Sequence, residues 1–275
     1  MNDLRGQAVL VTGGTMGIGL ATALAFARRG AVCTLTYKWG SVDDQEVLDR
    51  FAREGVPAPH LVQADVSQDE DTATLLAHMR KRHDSVYAFI SNVAMALVTK
   101  SLDDYDKRAL LKSIEYTAWP MFAYTAAIRN VFGQYPKYVI ALSSAGPDHF
   151  CRNYDFVAAS KSVVETLCRY MNYRLYDQGV RINVVRAGLV RTESLKATVG
   201  EEFLDFAEKI NLERQFVSVE EVASAIFGLC SGLMDAVSGQ VIVVDRGGTF
   251  SDNLMGLYEQ NLQALFPKVT HERDA

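Results

Sequence analysis

The stretch VLVTGGTMGIG, Val9 to Gly19, decides the fold. It begins as a short apolar run that breaks off in glycine, and the residues after it, GIGLATALAFARRG, show helical periodicity and stop at Gly30. A strand, a glycine turn and a helix therefore follow one another. Glycines 13, 17 and 19 let the backbone of such a turn approach a pyrophosphate, and the helix N-terminus presents free N–H groups and a partial positive charge to it. Tight strand–helix turns use glycine for structural reasons too. The position of this turn after the first strand is what points to a dinucleotide.

Working outward, strand-like and helix-like segments alternate to the end of the chain. AVCTLTYK, HLVQADV, VYAFISNVA, KYVIALSSAG, VRINVVRAG and GQVIVVDRGG read as six further strands, with helical stretches between them. Such alternation demands right-handed crossovers and a parallel sheet covered on both faces. The expected fold is α/β, a Rossmann-type doubly wound parallel sheet of seven strands with helices on both faces. No Pro/Gly/Ser-rich linker or repeat interrupts it, so residues 1–250 read as one dinucleotide-binding domain. Residues 251–275 form a tail in which Leu254, Leu257, Tyr258, Leu262 and Leu265 recur at helical spacing.

Composition narrows the function. A formal net charge of −5 argues against a nucleic-acid groove, which needs a concentrated basic face. There is no apolar run of about 18 residues to span a membrane, and MNDLRG leads into a strand with no signal-like apolar region. Cys33, Cys151, Cys168 and Cys230 lie far apart without CxxC spacing, which reads as free thiols in a reducing cytoplasm. The histidines, His60, His78, His83, His149 and His271, form no metal-ligand pattern, so no metal is expected.

The glycine spacing, with Thr12 before it, resembles the short-chain dehydrogenase/reductase superfamily, and other landmarks follow in order. Asp65-Val66 ends the third strand, SNVA (Ser91 to Ala94) the fourth and Ser143-Ser144 the fifth; Gly188 to Thr192 follow the sixth, and VDRGG closes the sheet. The resemblance implies a nicotinamide dinucleotide held by Gly13, Thr15, Met16, Gly17, Ile18 and Gly19, with Asp65 and Val66 at the adenine. It also implies roles for Asn92, Lys161, Gly188 and Thr192, the last at the carboxamide. An acid at the end of the second strand would hold a ribose 2′-hydroxyl and repel a 2′-phosphate. Here the strand ends LTYKWG, and Lys38 favours NADPH over NADH.

The chemical end departs from the superfamily pattern. Ser144 and Lys161 fit the Ser–Tyr–Lys spacing, but Val157 stands where the tyrosine is expected. Valine has no proton to give. Tyr154 lies seven residues before the lysine, and on a helix spacings of four and seven fall about 40° and −20° from one face. If the helix starts near residue 156, Tyr154 sits in the preceding loop, either as the displaced acid or as a packing residue. The segment NYDFVAASKSVVETLCRYM resembles the Tyr-x6-Lys site of enoyl-acyl-carrier-protein reductases, most of all their type III branch, over about Arg5 to Gly248. That implies hydride delivery to a 2-enoyl thioester on an acyl carrier protein or coenzyme A, in fatty-acid-like or polyketide metabolism. Tyr154, Lys161 and Ser144 would be the catalytic residues.

By the same resemblance, ESLKATVGEEFLDFAEKI is a substrate lid, about 193–212, whose Leu195, Phe203, Leu204 and Phe206 either line an acyl channel or pack the lid. The resemblance also implies a homo-oligomer, a dimer or a tetramer. Departures include Glu115 near the place of a family asparagine, where a carboxylate would pair with Lys161 or repel the cofactor, and Ala187 in place of a proline. Two alternatives remain open at this level: an atypical ketoreductase lacking the usual tyrosine, and an NADP(H)-binding protein with little catalysis.

Overall fold

Strand β1 (Ala8–Val11) is buried along its whole length. Its successors in the computed structural model explain why. They are α1 (Gly17–Ala27), β2 (Val32–Tyr37), α2 (Asp44–Arg53), β3 (His60–Gln63), α3 (Asp69–Arg80) and β4 (Ala88–Ser91). Helices α4 (Lys107–Thr117) and α5 (Trp119–Phe132) lead to β5 (Tyr138–Ser143), and α6 (Asp155–Arg174) leads to β6 (Arg181–Ala187). The chain continues through β7 (Leu189–Val190), α7 (Glu193–Val199), α8 (Glu201–Lys209), β8 (Phe216–Val217), α9 (Val219–Leu229) and β9 (Val241–Val244). The structure describes residues 3–38, 43–209 and 216–250, with Met255, Tyr258 and Asn261 beyond them.

Seven of these strands form one sheet in the order β3-β2-β1-β4-β5-β6-β9, with every pairing parallel. The expected doubly wound sheet is what forms. A separate parallel pair, β7 with β8, was not anticipated. Successive residues of a strand face opposite ways, so β1 feeds two cores. Val9 and Val11 pack with Leu24 of α1, Phe51 of α2 and Ile226 of α9. Ala8 and Leu10 pack with Leu76 of α3, Tyr124 of α5 and Val164 of α6. Strand order reverses between β1 and β4, and that reversal opens a crevice at the C-terminal ends of the strands.

Helix termini differ in a way that bears on the crevice. Side chains cap α2, α4 and α9: Asp43 accepts from Gln45 N, Asp106 from Ala109 N, and Ser218 forms a capping box with Glu221. Helix α1 starts at the crevice with no side-chain cap and no acid in its first turn. Among the described residues, no helix is long and apolar enough to cross a membrane. The tail helix expected from Leu254, Leu257, Leu262 and Leu265 lies outside the described residues; Tyr258 is helical and exposed.

Candidate active site

The turn after β1 is shaped by what its glycines permit. Gly13 and Gly17 hold φ values of 61° and 54°, in the left-handed region where a Cβ is strained. A Cβ on Gly19 would overlap the Gly13 carbonyl oxygen and stand 2.7 Å from Asn92 Nδ2. Asn92 is the reason the turn keeps its form. Its amide donates to the carbonyls of Thr12 (3.1 Å) and Gly13 (2.9 Å), and its own N–H donates to Thr12 Oγ1 (3.1 Å). Thr15 is buried beside the turn, Ile18 is half-buried and Met16 is exposed. Thr192, which caps α7 by accepting from Leu195 N, approaches the turn: its Cγ2 would lie 3.8 Å from a Cβ on Gly17. Gly188 packs tightly on Asp245, leaving 2.8 Å between a Cβ there and Asp245 Cβ.

Beyond the ends of β2 and β3, Asp65 and Lys38 form an ion pair. Asp65 also accepts from Ser67 N and Oγ (3.0 and 2.9 Å) and from the Tyr116 hydroxyl (3.1 Å), and Lys38 donates to the Tyr116 hydroxyl oxygen at 2.5 Å. Burial alone would lower the Lys38 pKa; its bonds to Asp65 and Tyr116 outweigh that and raise it. Lys38 is thus tied down beside Asp65 and Tyr116. Val66 is buried behind it.

At the other end of the crevice, α6 begins at Asp155, so Tyr154 is the residue just outside the helix, with φ −116° and ψ 9°. Asn153 before it has a φ of 62°, a conformation that asparagine tolerates better than most residues. Burial raises the Tyr154 pKa, and Ser144 is the neighbour that pulls it back down. Ser144 Oγ itself is buried with no hydrogen bond of ordinary geometry among the described residues. Gly146 backs the tyrosine ring, since a Cβ there would meet Cδ1 at 2.9 Å and Cε1 at 3.0 Å. Asp155 accepts from Thr99 Oγ1 (2.5 Å) and Tyr105 OH (2.8 Å), which pins the segment after β4 to the start of α6.

Lys161 is buried on α6, and its Nζ donates to the Leu142 carbonyl at 2.7 Å. Burial drives its pKa down to about 8, against an upward pull from Glu165. Val157, one turn earlier, is 2% exposed and is part of the packing. Glu115 does not reach this lysine. It is exposed on α4, where Ser113, Tyr116 and Thr117 are the buried residues, so the expected pairing with Lys161 does not form. The carboxylate near Lys161 is Glu165 instead. It accepts from Ser143 Oγ (2.6 Å) and, in bidentate fashion, from Arg186 Nε (3.0 Å) and Nη2 (2.6 Å). Arg186 also pairs with Asp148. The signal for this network was Arg186, a charge near the buried C-terminal end of the strand RINVVRA.

The lid segment is two short helices, α7 and α8, joined at Gly200. Leu195, Phe203 and Leu204 are half-buried, and Phe206 is exposed. Residues 210–212 of the expected lid lie outside the described residues. All four cysteines are free, and no cluster of His, Cys, Asp and Glu among the described residues could hold a metal. A nicotinamide dinucleotide fits the residues present. The α1 terminus without a side-chain cap and the glycines of the turn suit a pyrophosphate, and the buried Ser144 Oγ near Tyr154 and Lys161 leaves a polar group open to a ligand.

Comparison with known proteins agrees with this geometry. A family model described as enoyl-(acyl carrier protein) reductase matches residues 13–249. The enoyl-acyl-carrier-protein reductase (NADH) of Haemophilus influenzae is 27% identical over 93% of this chain and 98% of its own. The 1-cyclohexenylcarbonyl-CoA reductase of Streptomyces collinus is 28% identical over 88% of this chain and 87% of its own. The crystal structure of the Aquifex aeolicus enoyl-acyl-carrier-protein reductase (NADH) superimposes with a TM-score of 0.79 over 91% of this chain and 99% of that one; at 23% identity it attests the fold.

Proposed function

The chain belongs to the enoyl-(acyl carrier protein) reductase family of short-chain dehydrogenase/reductases and is a nicotinamide-dependent oxidoreductase, and from that premise we propose that it reduces the 2,3 double bond of an enoyl thioester with NADPH. The observation that carries this reading is the half-buried Tyr154 phenol beside Ser144, at the head of the helix that buries Lys161, with Val157 packed where a conventional acid would stand. In this reading, the dinucleotide supplies hydride to the β-carbon. Tyr154 donates a hydrogen bond to the thioester oxygen as negative charge gathers there, and burial keeps the phenol protonated for that task. Ser144 supports the phenol. Lys161, held by the Leu142 carbonyl, binds the nicotinamide ribose and lends the oxyanion its positive potential. A proton taken up at the α-carbon completes the reduction.

The turn from Gly13 to Gly19 takes the pyrophosphate, Asp65 and Val66 the adenine, and Gly188 and Thr192 the nicotinamide side. Asn92 serves by holding the turn. The preference for NADPH rests on Lys38: no acid ends β2, and the Asp65 contact keeps this cation beside the ribose instead of in solvent. The NADH named for the Haemophilus and Aquifex enzymes makes that preference a point of divergence. Residues 1–250 act as one catalytic domain with a lid at 193–212, and Leu195, Phe203 and Leu204 face the acyl chain carried on coenzyme A or an acyl carrier protein. The exposed Leu111, Trp119, Tyr170 and Tyr173 of α4, α5 and α6 support a homo-oligomer, checked by light scattering.

The test compares NADPH oxidation by the purified protein on a 2-enoyl and a 3-ketoacyl thioester of the same chain length. Turnover of the enoyl substrate, reduced about 10²-fold or more in Tyr154→Phe with NADPH affinity retained, is the expected result. Turnover of the ketone alone would establish the ketoreductase reading in its place.

A further inference from the structure

Arg186 touches neither Tyr154 nor Lys161 by any hydrogen bond or ion pair described above, yet both depend on elements that it joins. Its guanidinium lies at the end of β6, in register with Ser143 of β5, and is 9% exposed. One edge grips Glu165, which stands one helical turn after Lys161 on α6. The remaining nitrogen grips Asp148 in the loop between β5 and α6. That loop turns directly after Ser144, with the Asp148 and His149 N–H groups donating to the Ala145 carbonyl (3.1 and 3.0 Å). The same turn presents Gly146 to the Tyr154 ring. Planar bidentate geometry of this kind is available to arginine and not to lysine.

We infer that Arg186 is a positioning residue: by clamping Glu165 and Asp148 together it fixes the β5–α6 loop against α6 and so sets Ser144 and Tyr154 relative to Lys161. The catalytic roles of those three residues rest on the function proposed above; the clamp itself does not. Its loop half is separable from the fold, because the Asp148 side chain is 61% exposed and its loss buries no unpaired charge.

Cys151 provides a readout that needs no substrate. It sits in the clamped loop and is half-buried, whereas Cys33, Cys168 and Cys230 are buried. Burial raises its thiol pKa and shields it, so loosening of the loop speeds its labelling. The experiment measures three quantities on the full chain carrying Asp148→Asn or Arg186→Lys: the rate at which a small aromatic disulfide labels Cys151, NADPH affinity by fluorescence, and kcat and KM for the enoyl thioester. Labelling is expected to accelerate about fivefold in Asp148→Asn, the size of an ion pair with one exposed partner, and kcat to fall about tenfold through misplaced groups. NADPH affinity and KM stay within about twofold of the parent in that reading. Arg186→Lys, able to hold one carboxylate, is expected to match Asp148→Asn instead of the parent.

Unchanged labelling in Asp148→Asn would overturn the clamp, whatever the reaction proves to be. Faster labelling with unchanged kcat would overturn the positioning role, and equal losses of NADPH affinity and kcat would mark general loosening and overturn it as well. Parental behaviour of Arg186→Lys would show that the double grip is not needed. If the parent turns over no enoyl thioester, the function proposed above fails while the labelling result still decides the clamp.

Discussion

At the end of β1 the site is made of backbone: Gly13, Gly17 and Gly19 leave space, and Asn92 spends its side chain holding two carbonyls of the turn. At the ends of β5 and β6 it is made of side chains: Ser144, Tyr154 and Lys161, with Glu165, Arg186 and Asp148 behind them. The two regions fail differently. A backbone cradle binds a shape shared by all dinucleotides and is damaged by any added atom. A cluster of buried side chains holds protons at particular atoms and is retuned by its charged neighbours.

The sharpest way to break the first region is Gly19→Ala. The added methyl overlaps the Gly13 carbonyl oxygen. Overpacking against backbone costs about 1–3 kcal/mol, so cofactor affinity measured by calorimetry is expected to fall about 100-fold, with a lower melting temperature. In the second region, Gly146→Ala should act on rate instead. Its Cβ would press on the Tyr154 ring at 2.9 Å, and kcat is expected to drop about tenfold with cofactor affinity unchanged, since small displacements of a reacting group are costly.

The pH dependence separates the two buried acids. In the proposed mechanism Lys161 acts in its charged form, and its pKa is depressed to about 8 by burial. The rate of enoyl reduction is therefore expected to fall as pH rises through about 8, while Tyr154, raised by burial, gives up its proton at higher pH. A profile flat through that range would remove Lys161 from its charged role. Linkage has its own sign here. Because the folded lysine binds its proton less tightly than the ordinary value of 10.5, this group adds stability to the ligand-free protein as pH rises from about 8 towards 10.5. Denaturant melts across that window read it.

The smallest effect is expected at Lys38. Lys38→Ala removes one partly exposed cation and frees Asp65, so NADPH affinity should fall about three- to tenfold relative to NADH, with the difference shrinking at high salt. A larger preference for NADPH in the variant would reverse the assignment made from the end of β2.

Much of this was legible in residue order. The glycine turn, the alternation that forces a parallel doubly wound sheet, and the set Ser144, Tyr154 and Lys161 could be named without coordinates. Tyr154 lies one residue outside α6, in the loop that a helix starting near residue 156 would leave it in; the helix starts at Asp155. Glu115 was misjudged for a simple reason: each residue turns a helix by about 100°, so an uncertainty of one position decides between the site and solvent. Gly146 carried no signal, because its purpose is the ring of a residue eight positions later in a different element. Arg186 carried one, a cation directly after the apolar pair Val184-Val185, but nothing in the order of residues says which carboxylates receive it.

What sequence by itself determined about this protein is local and periodic: where strands and helices fall, which turn is rich in glycine, and which position holds valine where the superfamily pattern has tyrosine. These follow from backbone sterics and from burial patterns of period two and 3.6. Tertiary structure alone decided the partners: Lys38 with Asp65 and Tyr116, Lys161 with the Leu142 carbonyl, and Arg186 with Glu165 and Asp148. Charges and hydrogen bonds act across a few ångströms of space, and only the folded sheet brings residues tens of positions apart within that reach.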